Sequence, residues 1–375
     1  MDFNLSEQQK MLQRMAKEFA ADVVKPRAAE IDSKSRFPFD LAKEIGKRGY
    51  QGLPFPAEYG GSGAGYLSYA LVLEQLCQVS MTVGAIMAID TVPEEALFRF
   101  GSEEQKKRLL SPVTRGEKLA GIAFTEAETG SDPRAITTTS RKSGDSYVVT
   151  GQKQFVALAP AANLALVFAK SEGKGLNAFV IDTASQGYNL REPCETMGLK
   201  GLGTSVVYLD DVKVLRNNLL GEEGQGFDIL REAISLGRLG VIVEAVAVAQ
   251  AALDIAIDYA KQRKASGRPI AKLPAVQWNL AEMASRIEAG RLLAYRTAFL
   301  RDQGLDIKYE SSLTKLFASQ MAVEVTRMAM QVCGSYGTMT SMPVERLYRD
   351  AKMTEIYVGI SEIQRNIIAE RLIQP

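Results

Sequence analysis

The hydrophobic period of this 375-residue chain changes twice, and few folds accommodate such a change. Up to about residue 118 apolar residues recur at helical spacing, with Met11, Met15, Phe19 and Val23 on one stripe and a Ser6/Gln9 capping box before it. From residue 119 to about 226 the period shortens. Tyr147-Val-Val-Thr-Gly, Leu164-Ala-Leu-Val-Phe-Ala, Asn177-Ala-Phe-Val-Ile-Asp and Ser205-Val-Val-Tyr-Leu-Asp-Asp-Val-Lys-Val read as short strands separated by turn residues. Helical spacing resumes at Phe227, with long helices over 241–263 and 272–303. The spacing therefore predicts an α+β protein with an N-terminal helical domain (1–118), a middle β-domain (119–226) and a C-terminal helical bundle (227–375). Strands gathered into one block, rather than alternating with helices, exclude a Rossmann βαβ arrangement.

Composition narrows the chemistry. The chain has no histidine, which removes His-based triads, most zinc sites and the usual proton shuttle. A net charge of +1 argues against a nucleic-acid footprint. Cys77, Cys194 and Cys333 are too far apart for metal or disulfide patterning, so no metal site is expected. The N-terminus lacks the basic and apolar blocks of a signal peptide. No run approaches the ~18 apolar residues of a membrane span. A cytoplasmic location without membrane insertion is the expectation.

Two stretches are more specific. Tyr50-Gln-Gly-Leu-Pro-Phe-Pro-Ala-Glu-Tyr-Gly-Gly-Ser-Gly-Ala-Gly is a Gly- and Pro-rich loop, followed by an apolar helix expected over 69–89. Near the end, Arg346-Leu-Tyr-Arg-Asp-Ala-Lys leads through Ile356-Tyr-Val-Gly-Ile-Ser-Glu-Ile-Gln. This reads as helix, break at Gly359, then a second helix opened by a Ser361/Gln364 capping box with Ile363, Ile367 and Ile368 on its apolar stripe. Both stretches resemble the flavin-dependent acyl-CoA dehydrogenases, in which Arg-Leu-Tyr-Arg-Asp-Ala-Lys precedes Ile-Tyr-Glu-Gly-Thr-Ser-Glu-Ile-Gln. The resemblance runs along the whole chain.

It implies FAD as cofactor and a CoA thioester as substrate. Phe124-Thr-Glu-Ala-Glu-Thr-Gly-Ser-Asp resembles the family turn that lays amides and a hydroxyl along the flavin, carrying over Phe124, Thr125, Gly130 and Ser131, the last also near substrate. Gly151-Gln-Lys-Gln-Phe-Val-Ala resembles the stacking segment, carrying over Phe155, Val156 and Ala157; Ala157 has lost the hydroxyl that approaches N5. Arg263 and the pair Gln331 and Gly334 resemble motifs that reach the FAD of a neighbouring subunit, with Ser266 where phenylalanine is usual. Tyr357 and Glu362 belong to the same cofactor-facing set. These cross-subunit motifs imply a homo-oligomer, in this family usually a tetramer; the resemblance as a whole implies an electron-transfer flavoprotein as acceptor.

One departure bears on the reaction. Where the family places the glutamate that takes the α-proton, this chain has Val358, which cannot accept a proton. The second position used in the family, directly before an arginine, is Gly237, followed by Arg238. The Val358 N–H and Gly359 remain to bind the thioester carbonyl as an oxyanion site, with Arg238 at the substrate. Thioester polarisation thus survives where α-deprotonation does not. An α,β-unsaturated thioester has acidic γ-hydrogens, so the expected reaction is 1,4-dehydrogenation of an alicyclic enoyl-CoA, such as cyclohex-1-ene-1-carboxyl-CoA to the 1,5-diene. Asp90, after the apolar run Val83-Gly-Ala-Ile-Met-Ala-Ile, is the candidate base; alternatively Asp90 or Thr91 caps a helix with Pro93 and Glu94 in its first turn. Glu94 and Glu95 read as solvated. Competing readings are an enoyl-CoA reductase, a desulfinase-like elimination, and a flavin-binding homologue without activity.

Overall fold

A computed structural model describes residues 4–171, 173 and 175–373; Met1, Asp2 and Phe3, from which the N-terminal reading began, lie outside them. The Ser6/Gln9 capping box forms at the head of helix Glu7–Phe19. The apolar stretch expected over 69–89 is two helices, Gly65–Val79 and Met81–Phe100. Ser80 divides them: its backbone is extended and its hydroxyl accepts from the Val83 N–H at 3.4 Å, capping the second helix.

The middle of the chain is one eight-stranded sheet. Its strands are β1 (Ala120–Ala123), β2 (Thr139–Ser143), β3 (Ser146–Val156), β4 (Leu164–Ser171), β5 (Gly175–Asp182), β6 (Tyr188–Pro193), β7 (Ser205–Leu215) and β8 (Leu219–Leu220). They run in the order β6-β7-β3-β2-β4-β5-β8, and β1 also joins β4, in parallel, Ala120 opposite Leu164. The continuous apolar run of β4 follows from burial on both faces. Leu164, Leu166 and Phe168 pack with Val92, Ala96, Leu97, Ile229 and Leu230 of the helices. Ala165, Val167 and Ala169 pack inside the sheet with Val149, Val207 and Leu209. Period-two alternation thus divides one strand between two cores.

The C-terminal bundle is built on the 37-residue helix Gly226–Gln262. Its Ala245, Ala249, Ala252 and Ala256 meet Ala318, Ala322, Val325 and Ala329 of helix Lys308–Cys333, small side chains that let the two axes approach. Contrary to the expectation of no such segment, this helix is long and apolar enough by length and composition to cross a membrane. Of its most apolar window, 78% is buried inside the fold, so core packing accounts for that apolarity. Helices Pro274–Asp302, Pro343–Thr354 and Ser361–Ile373 complete the bundle.

Two local expectations are corrected here. Helix Met81–Phe100 runs unbroken through Asp90, Thr91 and Pro93, so neither Asp90 nor Thr91 is a cap; the Thr91 hydroxyl donates back to the Met87 carbonyl at 2.8 Å. The Ser361/Gln364 capping box does not form. Gln364 Nε2 donates instead to the Gly359 carbonyl at 2.8 Å, and Ser361 Oγ is buried without a partner among the described residues.

Candidate active site

Glu126 organises the turn between β1 and β2. Burial opposes its ionisation, yet hydrogen bonds from Lys153, Thr137 and Thr138 lower it to about 2. Lys153 Nζ lies 2.8 Å from Glu126 Oε1 and is itself buried. The Gln154 N–H donates to the Thr125 carbonyl at 2.8 Å, so the 124–132 turn and the end of β3 adjoin. On the outer side of this junction Phe155 is 64% exposed and holds a left-handed backbone at φ 54°. Gly130 and Ser131 are exposed and Phe124 and Thr125 half-buried. An apolar ring in water beside a turn whose Gly130 and Ser131 are exposed suits a planar ligand carrying ring carbonyls, as a flavin does. Ala157 is half-buried next to them, but the Val156 side chain is 2% exposed within the sheet core, so only its backbone can face a cofactor.

The two positions expected to lack a base are brought together. A side chain on Gly237 would meet Val358 Cγ1 at 3.1 Å and Val92 Cγ2 at 3.4 Å. Val358, Gly237 and Val92 therefore form an apolar wall, with no carboxylate at either position 237 or 358. Val358 sits at φ 55° and Gly359 at φ 96°; a β-branched residue at positive φ is rare and marks a turn held from outside. Beside Gly237, Arg238 is 6% exposed with Nε and Nη1 unpartnered among the described residues; burial lowers it to about 10. The Tyr357 hydroxyl is likewise buried without a partner. Glu362 is on the surface, 3.7 Å from Arg365.

Asp90 is fully buried, and burial raises it to about 8, opposed by hydrogen bonds from Ala120 and Gln51. Its oxygens accept from the Ala120 N–H at 2.6 Å and Gln51 Nε2 at 2.7 Å. Two residues along a helix turn roughly 200° about its axis, so Asp90 and Val92 look in opposite directions. Asp90 faces the start of β1 and does not join the Val358–Gly237 wall. Glu94 and Glu95, expected in solvent, are both fully buried. Glu94, one turn from Asp90, has both oxygens unpartnered among the described residues and is raised well above the carboxylate range, by burial and then by Asp90 and Glu95. Glu95 accepts from Tyr66 and Arg301, and from Arg99 at 2.7 Å. The spacing of Asp90 and Glu94, i to i+4 within one apolar helix, is the sequence signal that places both in the interior.

Arg263 is exposed after helix Gly226–Gln262, and Gln331 and Gly334 are exposed at the end of helix Lys308–Cys333. A Tyr259–Tyr336 ring contact at 6.2 Å joins the two ends. Gln331 and Gly334 line an open cleft with Arg327, Met330 and Tyr348. Among the described residues no hydrogen bond links this cleft to the 124–132 turn.

Three consecutive family domains match the chain: the acyl-CoA dehydrogenase N-terminal domain over residues 6–117, the middle domain over 121–212 and the C-terminal domain over 224–373. The chain belongs to the acyl-CoA dehydrogenase family. It is 37% identical to the 3-(aryl)acrylate reductase of Clostridium sporogenes, over 98% of this chain and 99% of that protein. The butyryl-CoA dehydrogenase of Megasphaera elsdenii superposes with a TM-score of 0.98 at 33% identity, over 100% of both chains. A chain in the structure of the electron transferring flavoprotein of Acidaminococcus fermentans superposes equally well, at TM-score 0.98 and 36% identity over 100% of both chains. The family comprises FAD-dependent oxidoreductases acting on CH–CH groups, and this protein is an enzyme of that kind.

Proposed function

We propose that this acyl-CoA dehydrogenase acts on an α,β-unsaturated CoA thioester, by 1,4-dehydrogenation of an alicyclic substrate such as cyclohex-1-ene-1-carboxyl-CoA. The observation that carries the reading is the apolar wall of Val358, Gly237 and Val92, which leaves no carboxylate at either position of the family's base. FAD supplies the hydride acceptor when bound. Phe155 would cover its ring, Thr125, Gly130 and Ser131 would donate along its edge, and Ala157 would lie near N5 without the usual hydroxyl. Arg263, Gln331 and Gly334, exposed on the other face, would serve the cofactor of a neighbouring subunit in a homotetramer. An electron-transfer flavoprotein is the acceptor this reading requires.

The Val358 N–H polarises the thioester carbonyl, which acidifies the γ-position of a conjugated acyl group by vinylogy. Asp90 is then the base. It lies two residues before Val92 in the same helix, and its oxygens accept from the amides of Ala120 and Gln51 rather than from a cation; this supports it as the carboxylate put forward for the γ-proton. Burial holds Asp90 protonated at neutral pH, so activity is limited to its ionised fraction and rises with pH. A second reading is favoured by the same wall: with no α-base in place, an enoyl-CoA reductase drawing electrons from a reduced flavoprotein would return the α-proton from solvent.

Incubating the purified protein with cyclohex-1-ene-1-carboxyl-CoA, crotonyl-CoA and butyryl-CoA, with an artificial acceptor and separately with a reduced donor, distinguishes them. Oxidation of the cyclohexene thioester and not of butyryl-CoA is the expected result. Rapid oxidation of butyryl-CoA would sink both readings.

A further inference from the structure

Helix Pro343–Thr354 ends in a five-residue turn that carries two left-handed residues, Val358 and Gly359. Valine at positive φ costs on the order of 1–2 kcal/mol, and the last carbonyls of a helix need donors from outside it. Both demands are met by one side chain from a different helix. Lys315, in helix Lys308–Cys333 and 1% exposed, donates from Nζ to the Thr354 carbonyl at 2.9 Å and to the Gly359 carbonyl at 2.8 Å. It therefore spans the turn from the residue before it to its last residue. Gln364 Nε2, from the following helix, adds a second bond to the Gly359 carbonyl at 2.8 Å.

A buried lysine is costly where packing alone is needed, because methionine fills a similar volume without desolvating a charge. Among the described residues Lys315 makes no ion pair, so its hydrogen bonds go to the turn. Burial, with the nearby Arg238 charge adding to it, lowers its pKa to about 7.

We propose that Lys315, assisted by Gln364, is a positioning residue that holds the 355–359 turn so that the Val358 N–H is presented to the thioester oxygen. The inference rests on the oxyanion role given to that N–H above. Neither side chain needs to touch substrate: each fixes the carbonyl of Gly359, and the peptide plane before it carries the strained Val358.

The test compares wild-type holoenzyme with Lys315→Met. The readouts are the carbonyl stretch of bound, isotope-labelled crotonyl-CoA, turnover of cyclohex-1-ene-1-carboxyl-CoA, FAD content and the Kd for free CoA. Wild type should lower the stretch relative to solution. Lys315→Met should lose most of that lowering and roughly 10²-fold in turnover, the scale of one oxyanion donor, while keeping FAD and the CoA Kd. A merely structural lysine would lower thermal stability and leave the stretch where wild type has it; that result, or turnover within about twofold of wild type, overturns the proposal. Should Lys315→Met not fold, Gln364→Met removes only the second donor and should show a smaller part of both effects, and no change in either counts against the clamp. A stretch that wild type itself leaves unshifted refutes the oxyanion role of Val358, and the clamp with it.

Discussion

Val358→Glu should convert this protein toward oxidation of saturated thioesters. Position 358 lies against Gly237, with 3.1 Å between Val358 Cγ1 and the place a Gly237 side chain would take. A carboxylate introduced there enters the apolar wall, and removing β-branching at φ 55° relaxes part of about 1–2 kcal/mol of backbone strain. A positioned general base contributes ~10²–10⁴-fold, or about 3–5 kcal/mol of barrier at ~1.36 kcal/mol per decade. Burial against Val92 raises the pKa of the new carboxyl, and the buried Arg238 guanidinium, its Nε and Nη1 unpartnered among the described residues, opposes that rise. The gain should therefore fall near the lower end, about 10²-fold at neutral pH, and increase with pH. The assay is anaerobic mixing with butyryl-CoA, following loss of flavin absorbance. If wild type bleaches as fast as the variant, the base was never missing and the reasoning from Val358 and Gly237 fails.

Asp90→Asn should keep FAD and substrate binding while losing ~10²–10⁴-fold in turnover of cyclohex-1-ene-1-carboxyl-CoA, and the wild-type rate should climb with pH through about 8, where Asp90 ionises. An Asn variant at the wild-type rate would remove Asp90 from the mechanism. The same substitution has a stability signature: Asp90 is raised on folding, so its contribution is fully present below the ordinary carboxylate range and lost as pH rises through about 8. Denaturant titrations at several pH values should accordingly find the Asn variant gaining on wild type as pH increases. Arg301→Met leaves buried Glu95 without its main cation and should cost about 3–5 kcal/mol, read as a lower denaturation midpoint; an unchanged midpoint would mean Arg99 suffices. Phe155→Ala should weaken FAD retention on dilution, since it removes an exposed ring that no core contact explains; undiminished retention would place the flavin elsewhere.

Much of the architecture was legible in the chain because burial is periodic. The continuous apolar run Leu164-Ala-Leu-Val-Phe-Ala marks a strand buried on both faces, and the block of strands between helical blocks excludes a βαβ fold. The Ser6/Gln9 cap formed because it needs only four consecutive residues. Ser361/Gln364 has the same local pattern and did not, because Gln364 had a better acceptor in the Gly359 carbonyl of the strained turn. Local sequence proposes such a bond, and a competing long-range partner decides it.

The site divides along the same line. Sequence alone established that positions 237 and 358 carry no carboxylate and that no histidine replaces them. Only the tertiary structure decided that these two positions adjoin, that Glu94 and Glu95 are interior rather than solvated, and that Asp90 faces β1 rather than Val358. It also brought Lys315, 44 residues from Gly359 in the chain, onto the turn. Residue identity sets which protons and charges a chain can hold. Their pKa values and directions depend on desolvation and on partners that lie far away along the chain, and those exist only once the helices have packed.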